Sequence, residues 1–296
     1  MFLFGSGVGS LFTGPFSETF GRNPVYLGTL MLFMIWVMAS GLSPNIGAQL
    51  AFRFLAGIFG CAPLTCAGGT TSDLWNGLEK TYAFPLFAIP AFGGSMLGPA
   101  IGSYFGTPDL PSWRWTEWLT LILAGLVAVL VGLFLPETHP ATLLHWKAKQ
   151  LREVTKDDRY VSQAEIAKVT LCHRMKIALT RPWTLAGEPI VIFVTVYLTV
   201  IWAVLFTFLD GYNFIFSVKY GLSQAGTMVI FVAMYVGVLL TIPLVPLVYM
   251  WTKKDMEKSK DSVKVRAETR LWYVMLGGSW AIPVSLFWLA WTDYVS

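Results

Sequence analysis

Apolar residues in this chain come in runs long enough to cross a bilayer, which takes about 20 residues. Such runs lie near 24–42, 47–69, 82–106, 118–135, 190–209, 225–250 and 271–291, so seven membrane-spanning helices are predicted. A further run at 1–13 is too short to cross alone. It has no basic residue ahead of its apolar part, so it does not read as a signal peptide. The run at 82–106 places Gly94, Gly98 and Gly102 at i, i+4 and i+8. On a helix these stack on one face, where a neighbouring backbone can approach closely. Pro99, beside the middle glycine, removes a backbone donor and bends or loosens the helix.

Composition agrees with a bilayer as solvent. Hydrophobic residues make up 55% of the 296, charged residues only 13%, and the mean hydropathy is +0.60. A chain so poor in polar groups could not cover its apolar surface in water. The net charge of +4 is modest, and nothing points to a nucleic-acid partner. Three cysteines make no disulfide framework. Cys61 and Cys66 fall in an apolar run and read as unpaired packing thiols, and Cys172 falls in a charged loop.

Lysine and arginine set the orientation. The segments 137–187 and 251–270 together hold sixteen of the 21 basic residues, which places both in the cytoplasm. Two spans separate them, which returns the chain to the same side. Counting outward brings the loops near Gly21 and Asn76, with Arg22 and Lys80, to that side as well. The opposite loops, near Pro44, Pro108 and Lys219, are short and poor in basic residues. Three regions follow: an N-terminal helical bundle at 1–136, a cytoplasmic central loop at 137–187, and a C-terminal helical bundle at 188–296. Within the loop, Leu143–Arg152 spaces apolar residues helically among basic ones. That fits a surface helix on an anionic inner leaflet, or equally a solvated linker.

Several motifs stand in order along these spans. Gly14-Pro15-Phe16-Ser17-Glu18-Thr19-Phe20-Gly21-Arg22-Asn23-Pro24 has turn-permitting glycines and opposite charges, Glu18 and Arg22, at a helix boundary. It resembles the cytoplasmic loop between the second and third helices of major facilitator superfamily transporters, in the version found in the fungal drug:proton antiporter branch. Arg53-Phe54-Leu55-Ala56-Gly57 resembles that family's fourth-helix arginine motif, and Asp73-Leu74-Trp75 the acidic end of the same helix. Gly94 to Gly102 resembles the fifth-helix antiporter motif. Leu135-Pro136-Glu137-Thr138 resembles the exit from the sixth helix, and Glu268-Thr269-Arg270-Leu271 the entry to the ninth.

The resemblance implies an all-α integral membrane protein with the major facilitator fold, two helical bundles, and no enzymatic activity. It covers helices two to nine of twelve. Met1 would fall within the second helix and Ser296 after the ninth, so the fold is expected to be incomplete. The chain then reads as a truncated gene model or partial transcript, with a natural eight-segment variant as the alternative.

The candidate residues follow from depth, charge and the resemblance. Arg53 lies six residues into its span, roughly 9 Å below the outer surface. Depth alone fits either snorkelling to the headgroups or a cavity-facing side chain. The resemblance implies the cavity and a link to proton coupling. Arg22 and Asp73, at the ends of neighbouring helices, form a proposed cytoplasmic pair that braces the bundle in one state; the alternative is two solvated charges. The resemblance has Glu18 meeting a second-half helix that is missing here. Tyr197, Trp202, Phe206 and Asp210 lie on the seventh helix, an aromatic face suited to organic cations or, equally, to packing. The family often has Glu-x-x-Pro near this point, where the chain reads Asp210-Gly211-Tyr212-Asn213.

His139, His145 and His173 have no metal-ligand spacing, and Gly5, Gly7 and Gly9 read as helix-packing glycines. No P-loop, catalytic triad, metal set or cofactor site stands out. Coupling would therefore come from an ion gradient. The expected function is proton-coupled export of small organic compounds, drug-like or polyamine-like, by a monomer in the plasma membrane. Its partners are the substrate, protons and lipid. A proton-titrating acid must exist in such a design. None lies mid-span in helices two to six, which leaves it to the absent first helix or to the second half. The alternatives are a non-transporting receptor or scaffold, an inactive fragment, and a sugar-type facilitator, against which the fifth-helix resemblance argues.

Overall fold

The structure, a computed structural model, describes residues 1–105, 112–167, 171–213 and 231–258, with isolated positions at 216, 221, 226, 280, 283–285, 287, 288 and 291. The helices are α1 (Phe2–Phe20), α2 (Arg22–Gly41), α3 (Ile46–Gly60), α4 (Ala62–Leu74), α5 (Lys80–Gly102) and α6 (Arg114–Phe134). They continue as α7 (Pro140–Thr155), α8 (Gln163–Ala167), α9 (Leu171–Leu185), α10 (Pro189–Asn213), α11 (Phe231–Leu239) and α12 (Leu244–Lys258). Among the described residues, six helical stretches are long and apolar enough to cross a membrane: Arg22–Gly41, Ile46–Leu74, Lys80–Gly102, Arg114–Phe134, Pro189–Thr207 and Phe231–Glu257. The Glu268–Leu271 motif and two thirds of the predicted run at 271–291 lie outside the described residues.

Local chemistry explains the helix ends. Asn45 caps α3, its side chain accepting a bond from the Ala48 N–H at 2.8 Å. The single run read at 47–69 is two helices meeting at Cys61, whose backbone stays α-like at φ −77°, ψ −15°. Pro63, just beyond, has no N–H with which to continue the ladder. The expected turn at Gly14–Pro24 is shorter than the motif. α1 stays helical through Gly14 and Pro15, and the chain reverses at Gly21 alone, with φ 101° and ψ 165°. Pro15 forfeits one hydrogen bond without ending the helix. Only Gly21 adopts a conformation that a side chain would disfavour.

The chain divides into two compact units, Met1–Leu74 with Gly94–Tyr235, and Trp75–Gly93 with Val236–Ser296. In the first, α2 packs on α3, α4 and α6, and α1 packs on α2, α3, α4 and α9. The α1–α3 contact is backbone against backbone. A Cβ at Gly5 would strike the Phe54 carbonyl, and one at Gly57 would strike the Phe2 carbonyl. A Cβ at Gly9 would come within 2.8 Å of Ile58 Cα and Cys61 Sγ. Ser6 Oγ adds a bond to the Gly57 carbonyl at 3.3 Å. Gly5 and Gly9 therefore act as the packing glycines expected, while Gly7 points elsewhere, with nothing within 4 Å of its Cβ position.

The stripe of Gly94, Gly98 and Gly102 differs. α5 remains helical through Pro99, and among the described residues nothing lies within 4 Å of a Cβ at any of the three glycines. Among the described residues the close approach of backbones is seen at Gly5, Gly9 and Gly57. Spacing creates a smooth face, but the neighbour decides whether it is used. In the second unit, Tyr82 meets Tyr249 edge-on at 6.3 Å between centroids, beside a cavity of about 610 Å³.

Candidate functional site

α2 carries an ionic cluster at each end. The first is built on the Gly21 turn. Arg22 opens α2 and is buried. Its Nε and Nη2 both donate to Asp73 Oδ2 of α4 at 3.1 Å, and its Nη1 donates to the fully buried Ser17 Oγ of α1. Gly69 makes this possible, because a Cβ there would sit 2.7 Å from the guanidinium carbon. The structure thus brings Arg22 and Asp73 together.

Glu137, just after α6, completes this end. Its carboxylate accepts from the Arg22 N–H at 2.9 Å and the Asn23 N–H at 3.3 Å, at the positive end of α2. It also accepts from the Thr138 and His139 N–H groups, at 2.9 and 2.8 Å. One acid therefore joins the start of α2 to the segment leaving α6. Glu18 meets the central loop: Arg174 of α9 donates to the Glu18 carbonyl at 2.7 Å and stands 3.8 Å from its carboxylate. That partner was not foreseen, since the two residues lie 156 positions apart.

The second cluster joins α3, α6 and the far end of α2. Arg53 donates from Nε to Glu117 Oε1 at 3.0 Å and from Nη2 to the same oxygen, which Ser40 Oγ also reaches at 3.3 Å. The Glu117 side chain is 10% exposed and that of Arg53 45%. Arg53 therefore engages a carboxylate while its outer edge stays open. A cavity of about 370 Å³ lies against the pair, walled also by Phe2, Phe33, Ser40 and Thr120. Glu117 was missed because it stands one residue ahead of the run at 118–135, where charges are expected to face headgroups. The available signal was an acid in the first turn of an otherwise apolar helix.

The remaining sequence candidates stand apart from these clusters. Tyr197, Trp202 and Phe206 are exposed on α10, with Trp202 stacked on Phe206 at 5.8 Å. Asp210 lies on α10, and its side chain falls outside those described. No group of three or more metal-ligating side chains occurs among the described residues.

Leu143–Arg152, read as either a surface helix or a solvated linker, is helical and lies within α7, which packs on α8. Ser162 and Glu165 bond each other's backbone N–H at the start of α8, at 3.3 and 3.4 Å. Arg152 donates to both Glu165 oxygens at 3.1 and 2.8 Å, and His145 Nδ1 lies 2.8 Å away. The Arg152 guanidinium, aided by the Ser162 N–H, holds the Glu165 carboxyl below its ordinary value of 4.5. A lowered carboxyl stabilises the fold above its unfolded value, and that stability is lost as pH falls through the folded one. Amide exchange in Gln163–Ala167, taken relative to the intrinsic rate at each pH, is therefore expected to rise as pH drops below about 4.5, and Glu165→Gln should loosen α8 at neutral pH. Unchanged exchange in both cases would contradict the role given to this contact.

Comparison with known proteins follows the same lines. The Major Facilitator Superfamily profile matches residues 1–296. The chain is 46% identical over 299 residues to the MFS-type transporter kojT of Aspergillus flavus, covering 100% of this chain and 53% of that one. It is 38% identical over 296 residues to the uncharacterized transporter C794.04c of Schizosaccharomyces pombe, covering 100% and 53% respectively. It is 33% identical over 297 residues to the MFS-type efflux pump MFS2 of Trichophyton rubrum, covering 99% and 49%. The chain spans about half the length of these curated relatives. Membrane-spanning helices, charge motifs and sequence relatives agree: this is an integral, multi-pass membrane protein, and it belongs to the major facilitator superfamily of transporters.

Proposed function

We propose that the protein carrying this chain exports small organic compounds, amphipathic or cationic, in exchange for protons across the plasma membrane, by alternating access. The observation that carries this reading is the ionic cluster at each end of α2. Arg22 and Ser40 stand eighteen residues apart, about 27 Å along the axis and close to the thickness of the hydrocarbon core. A brace at either end lets one helix report the closed state of both faces. The Arg22–Asp73–Glu137 cluster would hold the cytoplasmic side, and Arg53–Glu117 would lie toward the outer side. The relative named an efflux pump supports export. The aromatic face of Tyr197, Trp202 and Phe206 suits a cationic substrate, and the Gly94–Gly102 stripe, with Pro99, suits a helix that slides while gating.

The test uses sealed vesicles containing the protein made from its own gene. A fluorescent organic cation should accumulate against its gradient when a pH gradient is imposed, and the accumulation should collapse with a protonophore. Flux indifferent to the pH gradient would remove the antiport reading.

A further inference from the structure

We propose that Glu117 is the acid that takes up and releases the coupled proton, with Arg53 as the group it engages when ionised. This rests on the proton-exchange reading above and supplies the carrier that reading lacks.

The hydrogen bonds to Glu117 are lopsided. Arg53 Nε, Arg53 Nη2 and Ser40 Oγ all donate to Oε1. Among the described residues none donates to Oε2, although the carboxyl group borders a cavity of about 370 Å³. One oxygen is thus saturated by donors, and the other is free to carry a proton. The second feature is the unequal burial of the pair, 10% exposed for Glu117 against 45% for Arg53. If the pair opens, Arg53 can turn to water and stay charged. Glu117, walled by Phe33, Val37 and Ala56 and only 10% exposed, cannot turn out in the same way and keeps only its cavity-facing edge open to water. An unpaired buried carboxylate is costly enough that it neutralises instead. Opening the pair and protonating Glu117 are therefore one event. An O–H bond forms on Oε2 with a proton from water, and the proton returns to water when Arg53 closes again.

The surroundings contain little that competes. Among the described residues the α1 and α2 faces of the cavity contribute Phe2, Phe33, Val37 and Ser40, none of which titrates. On α3 the charged neighbour is Arg53. On α6 it is Arg114, three residues before Glu117, whose guanidinium reaches the Ser43 carbonyl at 3.4 Å. Glu117 is thus the one acid lining this cavity among the described residues. In the cytoplasmic cluster, by contrast, two acids, Asp73 and Glu137, share the Arg22 side chain and backbone N–H.

The deciding experiment compares wild-type protein and Glu117→Gln in sealed vesicles, with protein abundance measured in each. Glutamine keeps the shape and accepts from Arg53 but cannot exchange a proton. Accumulation driven by the pH gradient should fall by about tenfold or more. Counterflow, the exchange of labelled for unlabelled substrate without net proton movement, should persist. Glu117→Asp should keep driven transport with a displaced pH profile. If Glu117→Gln still accumulates substrate under the gradient, Glu117 is not the carrier, although the antiport reading survives. Loss of counterflow along with driven transport, at normal abundance, would make Glu117 a structural residue and overturn the inference. Wild-type flux without gradient dependence would remove the antiport reading, and the carrier with it. Should Glu117→Gln fail to reach the membrane, wild-type protein decides. Dicyclohexylcarbodiimide, which modifies protonated carboxyls in apolar surroundings, should label the Glu117 peptide increasingly as pH is lowered. Absence of label at that peptide would refute the proposal.

Discussion

Replacing Arg22 with alanine is expected to lower the stability of the first unit by about 3 kcal/mol, in the range found when one partner of a buried ion pair is removed. The cause is what remains behind. Asp73 loses both donors on Oδ2, and Ser17, fully buried, loses the guanidinium it accepts from. The space over Gly69 is left empty, and α4 loses its ionic tie to α2, keeping the Tyr26–Thr70 hydrogen bond at 2.8 Å. Because the cluster lies at a helix end rather than mid-membrane, water will repair part of the damage, which keeps the cost from rising further. Arg22→Lys should recover only part of it, since an ammonium cannot reproduce the fork that reaches Asp73 and Ser17 together. Thermal unfolding in detergent is the measurement. A fall of roughly 6–12 °C in Tm is expected for Arg22→Ala at the usual sensitivity of domains near this size. A fall below about 2 °C would mean that the cluster contributes little more than a surface pair.

Gly57→Val should be at least as damaging, at about 3 kcal/mol or more, and should prevent proper folding in many molecules. Even a Cβ at Gly57 collides with the Phe2 carbonyl and comes 3.1 Å from the Ser6 N–H nitrogen. Backbone cannot move aside as a side chain can, so α1 and α3 must separate, taking with them the Ser6–Gly57 bond and the Thr13–Cys61 contact at 3.3 Å. Gly5→Val should behave alike from the opposite side, because a Cβ at Gly5 meets the Phe54 carbonyl. Gly7→Ala is the control. Its Cβ position is open, so the change should be neutral or should stabilise by up to about 1 kcal/mol through helix propensity. The three variants can be ranked by the monodisperse fraction on size-exclusion chromatography and by Tm. Equal behaviour of Gly7→Ala and Gly57→Val would refute the backbone contact.

How legible this was depended on the length scale of each feature. A run of twenty apolar residues has few fates, and α2, α5, α6 and α10 lie close to where hydropathy puts them. The break at Cys61 and the continuation of α1 through Pro15 were not visible, because a proline or glycine near a helix end is compatible with either outcome. Both glycine sets, Gly5/Gly9 and Gly94/Gly98/Gly102, show the same four-residue spacing, yet among the described residues the close contact forms at the first. Spacing describes one surface, whereas contact needs two. Arg22 and Asp73 could be paired because each sits at a helix boundary on the side that charge counting assigns to the cytoplasm. Glu117 could not be paired with Arg53, 64 positions away, without the packing of α3 against α2 and α2 against α6. Arg174 was hidden for the opposite reason: in a loop with nine basic residues, no single arginine stands out.

The claim beneath all of this is that α2 spans the membrane with one ionic cluster toward each side. Single cysteines at Asn45, beside the Arg53–Glu117 end, and at Lys156, in the central loop, test it in a background where Cys61, Cys66 and Cys172 are replaced by serine or alanine. An impermeant maleimide added to intact cells should label the cysteine at position 45, and should label the one at 156 only after the membrane is permeabilised. Labelling of both from the same side would contradict the threading and the assignment of the two clusters to opposite faces.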